Sequence, residues 1–123
     1  MKIEMIEFAG KNIMVVADKG VVIRDEDTAM DALLVANYSA NTPLLAIPES
    51  AFSDAFFMVK TGMAAKILKQ YADYGFKCAV YGSLGRYANS KPLQAFMRET
   101  NKSASVHFSK NLDAAVEWLA AEE

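Results

Sequence analysis

Thr61 and Gly62 stand where a stretch of helical spacing begins, and they are the pair whose types and position best suit binding chemistry. At a helix start, a threonine and a glycine leave backbone N–H groups facing outward. The helix dipole adds positive potential, so the position accepts an anion. Lys60 lies beside the pair, and Arg86 in a later loop offers a second positive charge. The same residues also suit a plain structural purpose, with Thr61 capping the helix and Gly62 permitting close packing.

Other chemistry-bearing residues are weaker candidates. Gly82 and Gly85 form a Gly-x-x-Gly pair, short of any dinucleotide or phosphate-loop fingerprint, with Tyr87 following. Ser90 and Lys91 stand at another helix entry, where capping accounts for the serine. The single histidine, His107, falls inside a strand pattern, and no serine has a nucleophile-elbow context. The single cysteine, Cys78, sits mid-strand on an apolar face and reads as a buried, inert thiol. One histidine and one cysteine give no metal-ligand spacing, and no cofactor is expected. Glu49, Asp54 and Glu99 are candidates for paired carboxylates, but spacing alone does not bring them together. Asp25-Glu26-Asp27-Thr28 reads as an acidic helix entry rather than a metal cluster, because three adjacent side chains diverge.

The elements that must hold these residues follow from turn signals and periodicity. A hairpin is expected over residues 2–16 with its turn at Gly10-Lys11-Asn12, then a short strand at 21–23. Met30, Leu33, Leu34 and Tyr38 share a helical face, so a helix runs from Asp25 to Asn37 or Tyr38. Residues 44–47 form a buried strand, 51–59 a turn or half-helix, and 62–74 a helix with Met63, Ile67, Tyr71 and Tyr74 in one stripe. Gly75 closes that helix. The strand at 76–81 sends Phe76, Cys78 and Val80 to one side and Lys77, Ala79 and Tyr81 to the other. Pro92 opens a helix carrying Leu93, Phe96 and Met97. A strand at 103–108 and a helix capped by Asn111 complete the chain. The order βββαβαβαβα predicts a single α/β domain spanning 1–123, with helices packed on a mixed, largely parallel sheet. Ligands of such sheets bind beyond the carboxyl ends of parallel strands, here the connections at 48–61 and 82–90.

Composition narrows the partners. The chain has 123 residues, 53% of them hydrophobic and 23% charged, which suits one globular domain. Its net charge is −2, and its three arginines, Arg24, Arg86 and Arg98, are scattered, so no nucleic-acid partner is expected. No apolar run approaches the roughly 20 residues of a membrane span. The N-terminus is too charged for a secretory signal, and a lone thiol fits a reducing compartment, so a cytoplasmic protein is expected.

The residues Phe56-Phe57, Lys60-Thr61-Gly62-Met63-Ala64, Ile67-Leu68, Tyr74, Lys77, Ala79, Gly82, Tyr87, Ser90-Lys91, Leu93, Phe96, Glu99 and Asn101 closely resemble a bacterial family, domain of unknown function 4180. The likeness covers nearly the whole chain. It departs at Ala65-Lys66, where the family often shows Gly-Glu, and at Ser83, where an Asp often follows the glycine. A second, fold-level resemblance is to the STAS-type domains of anti-sigma-factor antagonists and sulfate transporters. Those domains carry Asp-Ser-Ser/Thr-Gly at this helix entry, and in the antagonists its first serine is a phosphorylation switch. Only Thr61 and Gly62 match. Val59 and Lys60 occupy the Asp and phospho-Ser positions, so the scaffold of the switch is expected without its switch residue.

These readings lead to a non-enzymatic binding or regulatory module of STAS-like fold. It would recognise a protein partner or a small anionic ligand at the edge made by residues 53–62 and 82–91. Lys60, Thr61, Gly62, Gly82, Arg86, Tyr87, Ser90 and Lys91 are its candidate binding residues. The alternatives are a small transferase or hydrolase acting on an anionic metabolite, with Thr61, Arg86, Tyr87 and Ser90 around its site, and a homo-oligomeric scaffold. A homodimer is compatible with this size, and no sequence feature sets the subunit number.

Overall fold

Alternating residues on either side of a tight turn make the first hairpin. In the computed structural model, which describes residues 1–121 except the Arg86 side chain, β1 (Ile3–Phe8) pairs antiparallel with β2 (Lys11–Val16). The turn is Ala9 and Gly10, with φ of 54° and 79°, the positive-φ pair that matches strand twist in a two-residue hairpin. Lys11 and Asn12, expected in the turn, instead begin β2.

The strand expected at 21–23 is reduced to one bridge, Ile23 to Phe52. The amides of Val22 and Ile23 both donate to the Ala51 carbonyl, and Asp25 starts a helix immediately afterward, which leaves no length for a ladder. That helix, α1 (Glu26–Val35), has a reciprocal cap. Thr28 N donates to Asp25 Oδ1 at 2.8 Å, and Asp25 N donates to the Thr28 hydroxyl at 3.1 Å. The acidic entry is therefore a cap. The helix continues as a wider turn over Ala36–Ala40, closed by Asn41 in the left-handed region.

The sheet runs in the order β1-β2-β3-β4-β5, with β3 (Leu44–Pro48), β4 (Lys77–Tyr81) and β5 (Val106–Ser109) parallel to β2. Successive crossovers that each step to the next strand with one hand put every connecting helix on the same face. Accordingly α1, α2 (Asp54–Phe57), α3 (Met63–Asp73) and α4 (Lys91–Thr100) share one core with Met14, Val16, Leu45, Ile47, Cys78 and Val80. The last helix, α5 (Leu112–Ala120), covers the other face over Ile13, Val15, Ala46 and Ala79. The small side chains of Ala46, Ala79 and Ala115 let it lie close to the strands.

The C-terminal ends of α3 and α4 are both fastened by hydrogen bonds. At the end of α3, Phe76 N donates to Tyr71 O and Gly75 N to Ala72 O, with Gly75 at φ 81°, a paired closure that turns the chain into β4. The α3 stripe ends at Tyr71, because Tyr74 is exposed. Asn101 closes α4 and acts as a surrogate strand residue. Its amide accepts from Phe108 N at 2.7 Å and donates to Phe108 O at 3.2 Å. Among the described residues no helix is long and apolar enough to cross a membrane.

Candidate functional site

The carboxyl ends of β3 and β4 release two connections that meet. After β3 the chain makes a 3-10 turn, Glu49–Ala51, and enters α2. After β4 it passes Gly82 and makes a 3-10 turn, Gly85–Tyr87, before α4. The contact between them is aromatic. Phe57 and Tyr87 stack with centroids 5.1 Å apart and planes 23° apart. Phe57 is in turn packed edge-on against Phe52 and Phe56.

One cleft, of about 220 Å³, opens on one side of this stack, and Val21, Glu49, Phe52, Asp54, Leu84 and Tyr87 contribute to its walls. Glu49 lies against Gly82. A Cβ on Gly82 would fall 2.6 Å from Glu49 Cγ, so only glycine leaves room for that side chain. Burial raises the Glu49 carboxyl above its usual range, and a backbone hydrogen bond from Leu84 pulls in the opposite direction. Leu84 itself has φ 68°, a conformation that costs a branched residue roughly 1–2 kcal/mol. Packing of its half-buried side chain against the main core holds it there.

A second cleft, of about 240 Å³, lies across the same stack, where Phe57, Met58, Lys60, Tyr87, Ser90 and Pro92 come together. Ser90 caps α4, its hydroxyl accepting from Leu93 N at 3.3 Å. Lys91, the first residue of α4, is exposed.

Thr61 and Gly62 face elsewhere. Gly62, in the left-handed region, is the N-terminal flank of α3 and, as a glycine, brings no side chain to its cap. The Thr61 hydroxyl lies 2.7 Å from the Ala55 carbonyl and 2.8 Å from that of Met58, and accepts from Met63 N at 3.2 Å. It fastens α2 to α3 and takes up the first amide of α3. The small cleft beside it, about 120 Å³, is bordered by Asp25, Glu26 and Lys66. The Thr28 backbone amide first, and then its hydroxyl, holds the Asp25 carboxyl below its usual range, so the entry to α3 faces fixed negative charge.

The candidate residues are thus distributed. Lys60, Tyr87 and Ser90 share one cleft, Gly82 lies under Glu49 behind the other, and Thr61 is turned toward α1. The Arg86 side chain is outside the described residues. Glu49 and Asp54, which spacing did not unite, border one cleft, whereas Glu99 is exposed on α4 and pairs with Lys102 at 3.3 Å. The signal for Glu49 was its place directly after Pro48, at the carboxyl end of a central parallel strand.

His107 and Cys78 are structural. His107 Nδ1 is 3.1 Å from the Ser109 hydroxyl, but Ser109 is buried and the ring stacks on Trp118 at 4.8 Å under α5. Among the described residues no carboxylate hydrogen-bonds to the imidazole. Burial lowers the His107 pKa, and burial holds the Cys78 thiol protonated. Among the described residues no group of three His, Cys, Asp or Glu side chains is placed to hold a metal ion.

No curated protein and no solved structure matches the chain. The residues that build both clefts lie within the span, residues 8–119, that matches the family model described as domain of unknown function DUF4180, and the chain belongs to that family.

Proposed function

We propose that this protein is a non-enzymatic binding module of STAS-like architecture, acting in the cytoplasm, that recognises a protein partner through the clefts bordering the half-buried Tyr87, whose ring is backed by the buried Phe57. The carrying observation is the stack itself, with a shallow cleft on each side at the carboxyl ends of β3 and β4. Each cleft is smaller than the roughly 300–1,000 Å³ of drug-sized ligand pockets, so each suits a single side chain of a larger partner. Glu49 weighs against an anionic ligand in the first cleft, and against a transferase or hydrolase of an anionic metabolite there. The Thr61 hydroxyl is occupied by backbone groups, which supports a scaffold without a switch at that helix entry. The buried, unpaired Cys78 suits a reducing compartment.

Native mass spectrometry of freshly purified protein tests the reading. A bound protein present with the wild type and lost with Tyr87→Ala is expected. Turnover of a broad substrate panel that disappears with Tyr87→Ala would overturn it.

A further inference from the structure

We infer that the cleft beside Glu49 is a seat for one basic side chain, the guanidinium or ammonium group of an arginine or lysine carried by the partner. The inference rests on the binding-module reading and adds the chemistry of what is bound. Three features carry it. The walls are largely apolar, with Val21, Leu84 and the half-buried Tyr87 on the cleft and the buried Phe52 and Phe57 at its base. An aromatic ring such as that of Tyr87 attracts cations, and more strongly where water is displaced. At one side stands the Glu49 carboxylate. Finally, the Glu49 side chain has a defined seat. The missing Cβ of Gly82 leaves the space that it fills. A group held in place before binding loses little freedom when a partner arrives.

Size and charge then select the occupant. About 220 Å³ admits one long side chain and little more. An aliphatic stem packs on the aromatic walls while the cationic head reaches Glu49. This is the division of labour that long basic side chains make on apolar surfaces. A carboxylate or phosphate entering the same space would meet Glu49 at close range. Burial already disfavours the Glu49 charge, and a cation would relieve that cost.

Four capped amino acids test this by NMR titration of the full chain: N-acetyl, N-methylamide derivatives of arginine, lysine, norleucine and glutamate. The arginine or lysine derivative is expected to shift the Gly82 and Leu84 amide resonances saturably, and norleucine and glutamate to leave them in place. Glu49→Gln, nearly isosteric, is expected to weaken the basic probes about tenfold. Tyr87→Leu, which keeps bulk and removes the aromatic face, should weaken them with Glu49 intact. A norleucine response equal to arginine, a stronger response to glutamate, silence of all four probes, or unchanged binding in Glu49→Gln would each overturn the basic seat. None of these outcomes touches the binding-module reading, which falls on the turnover result alone.

Discussion

Gly82 and Glu49 occupy complementary space: a methyl group on the first would sit 2.6 Å from Cγ and 2.8 Å from Cδ of the second. The contact joins the ends of two neighbouring parallel strands, because Pro48 pairs with Tyr81 in the sheet and each residue comes directly after one of them. It also sets where the cleft's carboxylate stands.

Gly82→Ala should therefore destabilise the fold by about 1–3 kcal/mol, combining the clash with the strain of φ 144° at an alanine. Glu49→Ala removes Cγ, so the double variant should recover the clash and retain only the backbone strain. Urea unfolding of the four proteins in a double-mutant cycle measures this. Strictly additive losses would show that the two residues do not compete for space.

Thr61 is a fastener. Thr61→Val keeps its shape but removes the hydroxyl that meets the Ala55 and Met58 carbonyls, and should cost about 1–2 kcal/mol. Thr61→Ser should cost less than half as much. A loss in Thr61→Ser with none in Thr61→Val, read from thermal unfolding, would place the effect in the methyl group instead.

Tyr71 is fully buried at the centre of α3, and its hydroxyl has no hydrogen-bond partner among the described residues. A buried, unsatisfied hydroxyl costs free energy that phenylalanine would not. Tyr71→Phe should leave stability unchanged or raise it by up to about 1 kcal/mol. A clear loss in chemical denaturation would show that the hydroxyl is satisfied after all.

His107 makes stability depend on pH. Burial lowers its pKa in the fold, so the unfolded chain takes up a proton first as pH falls below 6.5. Its contribution is fully present above that value and is lost as pH falls through the lowered one. His107→Phe keeps a ring against Trp118 and removes the titration. The variant's unfolding free energy should vary less than the wild type's across the window just below pH 6.5. Identical pH profiles would exclude the histidine as the source.

Periodicity and punctuation determined most of the architecture. The apolar faces of β4 and the closures at Gly75, Ser90 and Asn111 are local features, written within a few residues of where they act. The expected alternation of Phe76, Cys78 and Val80 against Lys77, Ala79 and Tyr81 reappears as the two cores on opposite sides of the sheet. The segment at 21–23 departed from expectation. Strand propensity there was real, but a ladder also needs length beside a partner, and the cap at Asp25 removed it.

The site depended on contacts that no local rule contains. Thr61 and Gly62 had the right types for an anion-accepting helix entry. Only the packing of α1 beside α3 brought Asp25 and Glu26 to the same cleft. Likewise, Glu49 and Asp54 are separated from Leu84 and Tyr87 by a whole helical crossover. They border one cleft because β3 and β4 are adjacent and parallel, so that both chains emerge at the same end of the sheet. The sequence alone determined the cleft region at the carboxyl ends of these strands. Its side chains and its charge were decided by tertiary structure, because helix packing and strand order choose which distant residues share a cleft.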